Sequence, residues 1–156
     1  MKVLLISAVM VLIDQGTKAA VRGSMTLQES IPVIPKFFHL TYITNDGMAF
    51  GINIPFGIII FSIVSVIFTV FLIWYLWKNQ NQRRMLKIGI ALILAGAVGN
   101  LIDRLVFGKV VDFLDFMLAG HHWYIFNIAD SCVTVGMGLV ILDSLIFERK
   151  KPILSH

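Results

Sequence analysis

Four long apolar runs divide this chain, and in three of them the polar positions gather near one end. The pattern predicts helices over about 3–21, 55–77, 86–106 and 127–147, each long enough to cross the hydrocarbon core of a bilayer. The first run turns polar in its last third, where Asp14, Thr17 and Lys18 fall at i, i+3 and i+4 and share a face. The second carries no charge and ends in Trp74-Tyr75-Leu76-Trp77, a belt of the kind that marks a membrane interface. In the third, Ala91, Ala95 and Gly99 recur every four residues, a seam of small residues for close helix contact, and Asn100, Asp103 and Arg104 follow. The fourth opens on Asn127-Ile128-Ala129-Asp130-Ser131, which puts a carboxylic acid one turn inside a membrane helix.

The stretch between the first two runs follows a different period. Pro32 and Pro35 exclude a helix, and Phe37 to Thr44 is rich in aromatic and β-branched residues, which predicts a strand. Asn45-Asp46-Gly47 supplies a turn, and Met48 to Ile52 reads as a short return strand. The expectation is a small β-element over about 31–52.

Composition agrees with a membrane protein, since 58% of residues are hydrophobic and 14% charged, too few for a soluble domain. The net charge of +4 does not signal a nucleic-acid partner. Lys2, Lys78, Arg83, Arg84, Lys87 and the Arg149-Lys150-Lys151 run flank the helices on one side, where the positive-inside rule places them. Four spans with both termini cytoplasmic follow, with the β-element and segment 107–126 on the outer face. The N-terminal run is read as a retained helix, because Asp14, Thr17 and Lys18 extend it and no small-residue cleavage site follows. Cys132 is the only cysteine, which excludes an intramolecular disulfide and a Cys-rich metal site.

An acid at the centre of a membrane helix costs about 2.5–3.5 kcal/mol on insertion scales, and less near the surface. Asn127 and Asp130 match a helix-capping pattern, which accounts for Asp130 taken alone. It does not account for the company. Asp14, Asn45, Asn100, Asp103, Arg104, Asp112, Asn127 and Asp130 all map to the outer side of the membrane. We expect Asp112 and Asp130 to meet, with Asp115 as a rival for Asp112 on sequence alone. Two close carboxyls share one proton, so one can activate water while the other polarises a carbonyl, which is peptide hydrolysis without a metal, cofactor or covalent intermediate. Asp103 and Arg104 read as a supporting pair, and Asp143 as a solvated residue near the cytoplasmic end. His121-His122 is a weak metal signal, and Ser131 and Cys132 lack an evident partner base. A transporter would use the same acids but would need polar groups continuing inward. The second helix offers only Ser62, Ser65 and Thr69, and the fourth mainly Thr134. A purely structural subunit would tolerate Asp112→Asn and Asp130→Asn.

Five spaced motifs in order carry a resemblance over nearly the whole chain: Asp14-x-x-Thr17-Lys18, Asn45-x-Gly47-x-Ala49-Phe50-Gly51, Gly99-Asn100-x-x-Asp103-Arg104, Val110-Val111-Asp112-Phe113 and Phe126-Asn127-x-Ala129-Asp130-Ser131. The series resembles the lipoprotein signal peptidase (signal peptidase II) family. The resemblance implies an all-α integral membrane protein of the bacterial plasma membrane, a single peptidase domain over 1–156 with four transmembrane helices, a small extracytoplasmic β-cradle and a short interfacial helix. It implies an aspartic endopeptidase that cleaves prolipoproteins on the amino side of a diacylglyceryl-modified cysteine. Matching positions make Asp112 and Asp130 the catalytic dyad. Asp14, Lys18, Asn45, Gly47, Asn100, Asp103, Arg104 and Asn127 match its supporting positions. The implied partners are lipid-modified prolipoproteins, membrane lipids and the cyclic peptide antibiotic globomycin, with no nucleic acid, and the implied state is a monomer. The β-element, around Phe50, is expected to close over the substrate as a lid.

Overall fold

A computed structural model of the chain describes residues 2–46, 48–49, 52–53, 56–118 and 121–148. The four predicted helices are present as α1 (Val3–Ser24), α2 (Gly57–Lys78), α3 (Arg84–Phe107) and α4 (Ile128–Glu148), and all four are long and apolar enough to cross a membrane. Gly47, Phe50 and Gly51, which carry the predicted turn and lid, lie outside the described residues.

Helix α3 is the axis of the bundle, and α1, α2 and α4 each pack against it. Its small residues permit this. A Cβ on Gly89 would stand 2.9 Å from the Gly136 carbonyl oxygen, and one on Gly136 would stand 2.6 Å from that of Gly89. A Cβ on Gly96 would run into the Ala129 carbonyl oxygen and Val133. The α3–α4 seam is therefore Gly89 and Gly96. The predicted Ala91-Ala95-Gly99 series is turned further toward α1, where the Ser7 hydroxyl donates to the Ala91 carbonyl at 2.7 Å and the Asp14 carboxylate fills the space over Gly99. Gly96→Val is expected to lower the thermal unfolding midpoint in detergent through about 1–3 kcal/mol of overpacking. Gly138→Val, where a Cβ meets nothing, should leave the midpoint in place.

The sheet is larger than predicted. Strands β1 (Ser30–Ile34), β2 (Phe38–Asn45), β5 (Val110–Leu118) and β6 (His121–Phe126) form one antiparallel sheet in the order β1-β2-β5-β6. The predicted strand is β2, but its partners are β1 and β5 rather than the return segment. Strand β3 (Met48–Ala49) pairs with β4 (Ile52–Asn53) as a separate two-stranded unit. Pro32 sits on the edge strand β1, where a missing N–H is tolerated. Segment 107–126 was expected only to run along the outer face, yet it supplies β5 and β6. The short interfacial helix implied by the resemblance is not among the described elements, because 110–118 spends its backbone groups on ladders to β2 and β6.

The chain enters the sheet from the C-terminal ends of α1 and α3 and leaves it into the N-terminus of α4, so the sheet caps that end of the bundle. Val111 and Phe113 of β5 pack on Val21 and Met25 at the end of α1. Strand alternation turns Asp112, between them, to the opposite face, and it is buried there.

Candidate active site

The site is built on one buried cation. Lys18 is fully buried and its ammonium group has three donors and three acceptors. It meets Asp14 Oδ2 at 3.0 Å, Asp103 Oδ2 at 3.1 Å and Asn100 Oδ1 at 2.9 Å. The i, i+4 pair of Asp14 and Lys18 is thus real, but it faces inward and ties α1 to α3. Asp14 also accepts the Ala129 backbone N–H at 2.9 Å, so α1 caps the first turn of α4.

Asp103 is wholly buried and also accepts the Val111 backbone N–H at 3.1 Å, which ties α3 to the start of β5. Its partner is Lys18 and not Arg104, contrary to the predicted pair. Arg104 points toward α2, where it donates to Ser65 Oγ at 3.3 Å and lies over the Phe61 ring at 5.8 Å. There it remains within electrostatic reach of Asp130, Asp112 and Asp103. Adjacent residues on a helix point about 100° apart, which separates the two roles.

Two amides carry the order outward to the acids. Asn100 takes its proton donors from Lys18 and Asn127, which turns its own amide nitrogen to Asp130 Oδ1 at 2.8 Å. Asn127, fully buried, donates to Asp112 Oδ1 at 2.7 Å, and its Oδ1 accepts the Asp130 backbone N–H at 3.0 Å. Asp130 Oδ2 accepts the Asn127 backbone N–H in return, at 3.3 Å. This reciprocal pair is a capping box, so the capping reading of Asp130 holds and coexists with its neighbourhood to Asp112. One residue, Asn127, touches both acids.

Asp112 is buried on the strand β5, and burial first, then the charge of Asp130, pushes its carboxyl up to about 7. The Tyr124 phenol on β6 is pushed up as well, by burial and then by the charges of Asp112 and Asp130. Such an arrangement can hold one proton between two carboxyls at neutral pH and present it to a carbonyl.

The other predicted positions separate cleanly. Asn45 ends β2 opposite Val110, two residues before Asp112. Gly47 lies outside the described residues. Asp115 is fully buried in the sheet, where Thr41 Oγ1 donates to it at 2.6 Å and His122 Nδ1 stands at 2.8 Å. The rival acid therefore has its own partners, and His122 with it. Thr17 bonds back to the Ile13 and Asp14 carbonyls within its helix, and Ser131 to that of Asn127. Asp143 is not solvated as expected: it is 1% exposed and held by Arg83 at 2.6 Å and 2.9 Å. Sequence reading missed Gln15, whose amide donates to Asp14, Asp103 and the Gly99 carbonyl at 3.0–3.2 Å. It also missed Arg22, 3.7 Å from Asp103 and stacked on Phe107, although Asp14, Lys18 and Arg22 form an i, i+4, i+8 ladder visible in the sequence.

Comparison with known proteins converges on one family. A family model described as signal peptidase (SPase) II matches residues 6–146. The lipoprotein signal peptidase of Desulforapulum autotrophicum is 45% identical over 149 residues, covering 93% of this chain and 91% of the relative. That of Syntrophotalea carbinolica is 42% identical over 141 residues, covering 89% and 88%. Among solved structures, a bacterial membrane enzyme determined by the in meso method at 2.3 Å resolution matches with a TM-score of 0.87 at 35% identity, covering 99% of this chain and 94% of that one. A second, at 1.9 Å resolution, matches with a TM-score of 0.83 at 37% identity over 92% of both chains. A family model spanning nearly the whole chain, relatives above 40% identity and a shared membrane architecture agree: the chain belongs to the signal peptidase II family, the membrane proteases of lipoprotein processing.

Proposed function

We propose that this chain is a membrane aspartic endopeptidase that removes the signal peptide from diacylglyceryl-modified prolipoproteins, on the amino side of the lipidated cysteine. Asp112 and Asp130 are its dyad. The observation that carries the reading is the position of Asn127, which holds the Asp112 carboxyl with its side-chain amide and the Asp130 helix turn with its carbonyl. Both Asp130 oxygens accept N–H donors, whereas among the described residues only Oδ1 of Asp112 accepts one. The shared proton therefore rests first on Asp112 Oδ2. The ionised partner takes a proton from water as the water attacks the scissile carbonyl carbon, and the protonated partner gives its proton to the carbonyl oxygen; the first partner then passes its proton to the amide nitrogen as the C–N bond breaks, and the second takes one back from the new carboxyl group, which restores the dyad. Arg104 adds positive charge near the acids, where it favours the negative charge that builds on the carbonyl oxygen before the proton arrives. Asp14, Lys18, Asn100, Asp103 and Asn127 act as positioning residues, and Asn45 and Gly47 are assigned to substrate binding.

The site lies at the outer face of the plasma membrane of a bacterium, with both termini in the cytoplasm and the whole chain working as one monomeric domain. The acyl chains of the substrate stay in the bilayer while the peptide enters between the sheet and α4. Globomycin would compete for the same place.

A gel-shift assay of purified protein with a lipid-modified prolipoprotein tests the reading. Wild type is expected to cleave, Asp112→Asn to fall by at least about 10³-fold, and Asp115→Asn to retain turnover per folded molecule. Turnover by Asp112→Asn with loss in Asp115→Asn would transfer the dyad to the rival acid. Activity should also fall as pH rises through about 7, because Asp112 then gives up its proton and two carboxylates remain with no acid to serve the carbonyl oxygen. A rate that climbs through that range would contradict the assignment.

A further inference from the structure

At the end of the bundle remote from the sheet, where α1 and α3 begin and α2 finishes, two cavities lie one above the other. One, of about 320 Å³, is lined by Lys2, Val3, Leu76, Gln80 and Lys87. The other, of about 440 Å³, runs between α1, α2 and α3 past Leu4, Ala8, Val11, Ile73, Leu94 and Val98, and no polar surface lines it. The Ser7 hydroxyl at its margin is already bonded to Ala91. The two spaces adjoin, because Val3 and Leu4 are neighbours on α1 and Leu76 stands one turn beyond Ile73 on α2. From Lys2 to Leu12 the helix rises roughly 15 Å, most of the depth of one leaflet.

The charges at the mouth are not balanced from within. Lys87 Nζ donates once, to the Gln80 carbonyl at 2.7 Å, and has two further donors. No described carboxylate lies within ion-pair distance of Lys2 or Lys87, and Asp143, the one acid at this end of α4 whose side chain is described, is taken by Arg83. A basic mouth over a dry apolar cleft has the shape and polarity of a lipid with an anionic head. We propose that the double cavity binds one anionic glycerophospholipid from the leaflet facing Lys2 and Lys87, with its phosphate on the two ammonium groups and one acyl chain between α1 and α2. The lipid fills the gap that leaves α2 resting on α3, and so stabilises the bundle from the side away from the acids. A free phosphate would leave the apolar cleft empty, and the choline cation of a zwitterionic lipid would offset the attraction of its phosphate to the two lysines.

Native mass spectrometry of the full chain in detergent, titrated with phosphatidylglycerol, phosphatidylcholine of the same acyl chains, and inorganic phosphate, tests this. Phosphatidylglycerol is expected to add as one tight adduct, and inorganic phosphate not to displace it. Lys2→Gln with Lys87→Gln should weaken that adduct about 30-fold, from the attraction of two lysines to an anionic head. Ala8→Phe, at an exposed position, should block both lipids by filling the cleft. Lys78→Gln with Arg84→Gln removes two charges at the same end outside the cleft and should leave the adduct unchanged. Equal binding of the two lipids, equal loss in both double variants, or displacement by inorganic phosphate would each overturn the proposal.

Discussion

Asp130→Asn is expected to stop cleavage of a lipid-modified prolipoprotein, by about 10³-fold or more, while leaving the protein folded. The geometry makes this substitution unusually discriminating. Asparagine keeps an oxygen for the Asn127 backbone N–H, so the capping box that starts α4 survives, while the bond from the Asn100 amide is lost at a cost of about 1–3 kcal/mol. It cannot hold or share a proton with Asp112. A residue that served only as a cap would therefore tolerate the change. Asp130→Ala should add a second defect, roughly 1 kcal/mol of lost cap. If Asp130→Asn cleaves at the wild-type rate, Asp130 is a cap and the dyad assignment is wrong; if it unfolds, the cap depends on the negative charge itself.

Lys18→Met should be the most destabilising single change at the site, by about 3–5 kcal/mol, because it strands Asp14 and Asp103 in the bundle without their buried cation. It should also slow cleavage in what remains folded. Without the Lys18 donor, only the Asn127 amide at 3.1 Å still holds the Asn100 oxygen away from Asp130. Adding Asp103→Asn removes one stranded charge and should recover part of the stability. It should not recover the rate, since Asn100 still lacks the stronger of its two orienting donors. Chemical denaturation in detergent and single-turnover cleavage separate the two effects. Equal recovery of both by the double variant would show that Lys18 contributes charge balance alone.

The helices were legible in the sequence because apolar run length is a strong one-dimensional signal, and so were the acids, because an acid in such a run needs a reason. The sheet was half legible. Strand β2 announces itself by its aromatic and β-branched residues, but one of its two partners, β5, is more than sixty residues away, and no local turn signal connects them. The proximity of the nearby return segment made it the natural choice. Segment 110–126 hides its strands because nearly every position of Val110 to Phe113 is buried, so the alternation that marks a half-exposed strand is missing. Pairings across the bundle were the least legible. Arg83 and Asp143 stand sixty residues apart, and Asp103 turns from its sequence neighbour to Lys18.

Helices α3 and α4 are joined at both extremes, by the amide network around Asn100 and Asn127 at one end and by Arg83 and Asp143 at the other, with glycines closing the space between. Mechanically they are a single beam. Helix α2 leans on that beam along one side, like a hinged board. Any lateral opening that admits a lipid-anchored chain from the plane of the bilayer must then come from α2 or the sheet. The beam carries Asn100 and Asp130 through such an opening without changing their spacing, so an open doorway need not mean a disassembled site.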